Sequence, residues 1–228
     1  MYQDAIESVR DSIFPIFFKA RHEGAVQLGV SGTGFFITDD GHFLTACHVI
    51  TDTPCGSKIF YVGNVPSNPL DAPMEIEEVA RDEQKDLFVG RVPDGGLPAL
   101  SFLDEAVRPG KSVSLSGYPL SRLSQNPDGS IDVFSVRPFW QPTFVLDGLS
   151  VDVNNREYRG YMTQHTSLRG MSGGPVFDMT GGIVGMDVAT LTRKITAQDG
   201  RETIIPNGVV VSVERIRELV DDLGLDGL

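Results

Sequence analysis

The rhythm of apolar and polar positions changes twice along this 228-residue chain. Ala5, Ile6 and Val9 recur at helical spacing and predict a short helix over residues 3–12, closed by the approach to Pro15. From Ile13 the apolar runs become short and rich in β-branched and aromatic residues. They predict strands at Phe14–Lys19, Val26–Val30, Gly34–Thr38 and Phe43–Ala46, with Asp39-Asp40-Gly41-His42 as a hairpin turn between the last two. Further strands are expected at Lys58–Val62, Met74–Arg81 and Leu87–Val92. Strand signals resume at Ser112–Ser116, Ile131–Val136, Phe144–Leu146, Tyr158–Gln164, Pro175–Phe177, Ile183–Ala189 and Val209–Val211. Leu120–Gly129 and Thr190–Arg201 are polar and read as surface loops. The helical rhythm returns at Val213, Ile216, Leu219 and Val220, with Ser212 as N-cap, Glu214 in the first turn and an end near Gly224.

Many short strands with a helix at each end point to an all-β barrel or sandwich. Pro93–Gly110, rich in Pro, Gly and Asp, reads as a connection between two lobes. The expected layout is a single domain over 1–228. It has a first lobe with the N-terminal helix at 1–92, a linker at 93–110, a second lobe at 111–211 and a helix at 212–223.

Hydrophobic residues make up 40% of the chain, so it can bury a core. A formal net charge of −12 argues against nucleic-acid or anionic-membrane partners, both of which need a basic surface. The opening Met-Tyr-Gln-Asp-Ala-Ile-Glu lacks the basic and apolar regions of a signal peptide, and no apolar run is long enough to cross a bilayer. The expectation is a cytoplasmic protein with Cys47 and Cys55 as free thiols, Cys47 being buried beside His48. Among the remaining histidines, His42 is expected in solvent, His22 in a polar loop and His165 near the cleft in a structural role. No C-x-x-C or H-E-x-x-H spacing marks a metal site, and no cofactor is implied.

Three segments carry candidate chemistry. In Arg169-Gly-Met-Ser172-Gly-Gly-Pro, glycines on both sides of a serine let the backbone turn tightly and aim the Gly170 and Ser172 N–H groups at one point. Read alone, the segment is equally an ordinary Gly-rich turn. In Phe43-Leu-Thr-Ala-Cys-His48, an imidazole ends a buried strand, where it is either a hydrogen-bonded core histidine or a base. In Asp86-Leu-Phe-Val, an acid opens an apolar strand, either as a cap or as the group that orients the histidine.

Taken together, the segments resemble the trypsin-like serine peptidases, and among them the bacterial HtrA/Deg-like branch. The order His48, Asp86, Ser172 is the chymotrypsin order. Gly32-Thr-Gly-Phe-Phe-Ile, Ser116-Gly-Tyr-Pro and Gly182-Ile-Val-Gly-Met extend the resemblance over residues 10–222. It implies two packed six-stranded β-barrels, the first carrying His48 and Asp86 and the second Ser172. It also implies an oxyanion hole from the Gly170 and Ser172 amides, and a substrate pocket walled by Thr166, Ser167 and Leu168 and by Met186, Asp187 and Val188. The implied reaction is endopeptidic hydrolysis of protein or peptide substrates. Two alternatives stand beside it: a latent protease assembled by an activating protein partner, and a silent peptide-binding module.

The chain departs from the family in three places. Met171 stands where zymogen-activated trypsins carry an aspartate that pairs with a new N-terminus, so activity is expected not to need such processing. The sequence runs only a few residues past the expected C-terminal helix, so a PDZ domain of the kind HtrA-type proteins carry is not expected. Thr166 matches the position that holds an acid in arginine-cutting trypsins. Asp187 either faces the pocket, favouring a basic residue there, or points away on an alternating strand.

Overall fold

The computed structural model describes all residues except 1, 23–24, 62–73, 94–97, 126–130, 154, 197 and 225–228. Helix α1 (Tyr2–Val9) continues as a 3-10 turn over Arg10–Ser12 before the strands begin. The first lobe contains β1 (Ile13–His22), β2 (Ala25–Phe36), β3 (His42–Ala46), α2 (Cys47–Thr51), β4 (Lys58–Tyr61), β5 (Met74–Glu75), β6 (Glu77–Asp82) and β7 (Leu87–Arg91). The second contains β8 (Ser112–Gly117), β9 (Arg122–Gln125), β10 (Ile131–Ser135), β11 (Phe139–Val153), β12 (Arg156–Thr163), β13 (Pro175–Phe177), β14 (Ile183–Thr196) and β15 (Glu202–Ser212). Helix α3 (Val213–Val220) follows.

The second lobe closes as a six-stranded barrel in the order β11-β12-β15-β14-β13-β8. The first is a seven-stranded sheet in the order β5-β4-β1-β2-β3-β7-β6. Its two edge strands are one expected strand, Met74–Arg81, broken at Ile76. Met74–Glu75 pairs with β4, and Glu77–Asp82 pairs with β7 at the far edge. A chain that leaves one edge and joins the other across one residue curls the sheet towards the closed form expected of six strands. Its core is aromatic: Phe14 lies 4.5 Å from Phe36, 5.2 Å from Phe43 and 4.5 Å from Tyr61, ring centre to ring centre.

Two expected loops are strands. Thr190–Arg201 continues β14 to Thr196, and β15 returns from Glu202 as an exposed ribbon. Its threonines and isoleucines suit a pleated strand even where nearly every side chain meets water, which disguised it as polar loop. Likewise Arg122–Gln125, inside the expected loop Leu120–Gly129, pairs with β10.

Both helices fasten the lobes. Tyr2 on α1 donates to Ser112 Oγ at 3.1 Å and stacks edge-on against Phe177 of the second barrel. Ser212 caps α3 by accepting the Arg215 N–H, and Val213, Ile216 and Val220 are buried. On its other side, α3 reaches the turn before β7 through Glu218 and Lys85, 3.2 Å apart. Between the lobes, Leu100 N–H donates to Phe36 O, and Phe102 bridges to Ile183, so the linker is stitched to both sheets.

Candidate active site

His48 does not end a strand, as expected, but occupies the second position of α2, which starts directly after β3. Asp86 sits in the turn before β7 with φ at +58°, a left-handed conformation that Asp tolerates better than most residues. That turn delivers a fully buried carboxylate beneath the helix. Its Oδ1 accepts the His48 backbone N–H at 2.9 Å, its Oδ2 lies 2.8 Å from His48 Nδ1, and its backbone carbonyl accepts the Cys47 N–H at 3.1 Å. Both carboxyl oxygens thus hold one residue. A carboxylate facing Nδ1 requires the proton there, which leaves Nε2 as an acceptor towards the cleft.

Two residues of β12 complete the surroundings of Asp86, although neither was marked by the sequence. Tyr158 donates its hydroxyl to Asp86 Oδ2 at 3.2 Å. Burial first, and the Asp86 charge second, push the Tyr158 phenol up, so it remains a donor. Arg156 Nε lies 3.7 Å from Asp86 Oδ1, while its terminal nitrogen donates to both oxygens of Asp52 at 3.2 Å. The second lobe therefore steadies the acid of the first.

Ser172 lies in the loop between β12 and β13, held from the first lobe by Thr33. The Thr33 N–H donates to Ser172 O at 2.9 Å, and its hydroxyl donates to Gly170 O at 2.7 Å while accepting the Tyr118 N–H at 3.0 Å. Thr45 then donates to Thr33 O at 2.7 Å. This approach leaves no room for a side chain at Gly173: with φ at +84°, a Cβ there would lie 2.1 Å from Thr45 Oγ1 and 2.3 Å from Thr33 O. Below the loop, Met171 is fully buried with Val113, Leu115, Val176, Val184 and Val210. Gly170 has φ at +98°, and among the described residues neither its N–H nor that of Ser172 has a backbone acceptor.

The structure brings His48 and Asp86 into contact, and ties Ser172 to Val188, which lines a cleft with His48. The Ser172 hydroxyl donates to Val188 O at 3.3 Å, and among the described residues no hydrogen bond joins it to His48. Val188 and His48 line the same cleft of about 240 Å³, together with Val151, Val153, Tyr158 and Leu191. Thr166, Ser167 and Leu168 form a half-buried segment without regular structure, tied to β14 where Thr190 donates to Ser167 O at 3.0 Å. Met186 packs into the core, and Asp187 is fully buried. Of the other histidines, His42 is shielded rather than free in solvent, with its ring 2.7 Å from Asp40 and its side chain 14% exposed. His165 is exposed, and the side chain of His22 lies outside the described residues.

A family model described as a trypsin-like peptidase domain matches residues 32–186. The chain is 30% identical over 210 residues to a probable periplasmic serine endoprotease, DegP-like, of Rhizobium meliloti (strain 1021), covering 91% of this chain and 36% of that protein. It is 26% identical over 202 residues to serine protease HTRA1 of Xenopus laevis, covering 85% and 39%. It thus spans well under half the length of these relatives. Among solved structures, the HtrA-type protease AlgW with decapeptide superposes with a TM-score of 0.71 at 16% identity, over 100% of this chain and 68% of that one. The Rv3671c protease from M. tuberculosis, active form, gives 0.66 at 20% identity over 96% and 84%. These two share the fold.

Proposed function

Because the chain belongs to the trypsin-like peptidase family, we propose that it is a serine endopeptidase with Ser172 as nucleophile, His48 as general base and Asp86 as the group that orients the histidine. The observation that carries this reading is the double hold of Asp86 on His48, through Nδ1 and through the backbone N–H. That hold fixes the tautomer whose Nε2 can take a proton from a serine. Ser172 Oγ attacks the peptide carbonyl as its proton passes to His48, and the developing oxyanion lies between the Gly170 and Ser172 N–H groups. The imidazolium then protonates the leaving amine, and water, deprotonated by His48, releases the acyl group. Protein or peptide chains are the substrates, and the groups of this chain that carry the steps are Ser172, His48, Asp86 and the Gly170 and Ser172 amides. Hydrolysis of a mixed fluorogenic peptide pool by the parent but not by Ser172→Ala is the expected result. Equal turnover by both proteins would remove Ser172 from the mechanism.

One observation favours a latent form of the same enzyme. The Ser172 hydroxyl is engaged by Val188 O, so attack requires it to rotate towards His48. An activating protein partner or the substrate itself would supply that rotation. A rise in peptide turnover when cell lysate is added to the purified protein supports a partner, whereas unchanged turnover leaves the substrate as the trigger.

A bacterial cytoplasm is the proposed location. Cys55 is an exposed free thiol, and Cys47 is buried, with desolvation pushing its thiol up to about 11. Recovery of the protein with the cytoplasmic fraction supports this, and recovery with the periplasm overturns it.

A further inference from the structure

Three acids are buried among the described residues, and two of them are fully engaged. Asp86 holds His48 and accepts from Tyr158, and Asp178 accepts from Thr180 and faces Lys111 at 3.1 Å. Asp187 differs. It is wholly buried, and neither carboxyl oxygen has a hydrogen-bond partner in sound geometry. A buried carboxyl in that state is costly, and such groups recur where a ligand completes them.

Its position says what the ligand is. The Asp187 N–H donates to Gly174 O at 2.9 Å, and its carbonyl accepts the Gly173 N–H at 2.7 Å. The next residue, Val188, holds the Ser172 hydroxyl. On the other flank of Ser172, Ser167 is the polar neighbour of the carboxyl, and Thr190 ties the two flanks together. Asp187 itself does not line the cleft; its carboxyl is buried directly behind these flanks, one residue from the Val188 carbonyl that holds Ser172.

We propose that Asp187 selects a basic side chain, arginine or lysine, at the residue whose carbonyl Ser172 attacks. The proposal rests on the peptidase reading and names the substrate class for that site. A guanidinium or ammonium supplies the donors that both carboxyl oxygens lack, and arginine does so through two parallel bonds. Admitting it requires the half-buried segment Thr166–Leu168, free of helix or strand, to move aside. The net charge of −12 draws cationic chains towards the protein. Burial pushes the Asp187 carboxyl up to about 7, against the opposing pull of Ser167 and of His48, the ionisable group that faces it. Burial thus favours the protonated acid, and an arriving cation draws the proton off.

Binding tests this without turnover. The fluorescent cation p-aminobenzamidine and its uncharged counterpart p-aminobenzamide are titrated against the full chain and against Asp187→Asn. The parent should prefer the amidine by about 100-fold, the scale on which a buried charge pair rejects a neutral isostere, and Asp187→Asn should erase the preference. Equal binding of the two compounds by the parent overturns the proposal, as does a preference that survives in Asp187→Asn. Circular dichroism verifies that the variant folds; if it does not, the parent's discrimination alone decides. Fluorophosphonate labelling of the same samples reports the peptidase reading separately. A labelled protein indifferent to the amidine loses the role of Asp187 alone. An unlabelled protein that discriminates through Asp187 keeps the cation site and loses the peptidase.

Discussion

Thr33 grips the carbonyl of Ser172 across the boundary between the lobes, its N–H donating at 2.9 Å, while its hydroxyl holds Gly170 O at 2.7 Å. One residue of β2 thus spans both ends of the turn that presents the nucleophile. The hydroxyl also accepts the Tyr118 N–H. Thr33→Val keeps the shape and the backbone bond but removes the hydroxyl that serves both the Gly170 carbonyl and the Tyr118 N–H. Stability should fall by about 1–3 kcal/mol in urea denaturation. The rate of fluorophosphonate labelling should fall at least about tenfold, because the turn loses its clamp. A labelling rate equal to the parent's would show that the clamp serves the fold alone.

Asp86→Asn preserves the size of the side chain and removes the acceptor that keeps the proton on His48 Nδ1. The kcat for peptide hydrolysis should drop by about 10⁴-fold while the protein remains folded. Tyr158→Phe takes one donor from Asp86 and should cost far less, about tenfold or under in kcat, because the carboxylate keeps its hold on His48. A kcat equal to the parent's in Tyr158→Phe would reduce that contact to packing.

Met171 replaces an ion pair with apolar burial under the nucleophile turn. Met171→Ala should cost about 2–5 kcal/mol, because the surrounding valines cannot close the space. The parent, with its N-terminus uncut by intact-mass measurement, should be as active as any processed form. Activity that appears only after cleavage would contradict this.

The folded value for Asp187, about 7, lies above its ordinary 3.8. Between these values the native protein keeps a proton that the unfolded chain has released. This contribution to stability is therefore complete below about pH 4 and is lost as the pH rises to and through about 7. Asp187→Asn, neutral throughout, should flatten the decline. Denaturation midpoints at about pH 5 and about pH 8 for both proteins read the slope directly.

Much of this site lay open in the sequence because its parts are local. The glycines around Ser172, the small residues before His48 and the apolar run after Asp86 each announce a backbone shape. Thr33 was within a recognised stretch, Gly32-Thr-Gly, yet its task concerns residues more than a hundred positions away. Tyr158 and Arg156 were invisible for the same reason: nothing in the spacing of β12 says that it faces Asp86. The ribbon over Thr190–Arg201 was missed because an exposed strand and a polar loop share a composition. The state of Asp187 turned on which way one bulged strand points, and the pairing shift between Asp187 and Ala189 settles that only in three dimensions.

The central claim is that Ser172 is an activated nucleophile. A fluorophosphonate probe tests it most directly, applied to the purified parent beside Ser172→Ala and His48→Ala. The account predicts covalent labelling of the parent at Ser172 and none of either variant. A folded parent that stays unlabelled, alone and in the presence of substrate peptide or cell lysate, or a His48→Ala variant labelled at the parent's rate, would contradict it.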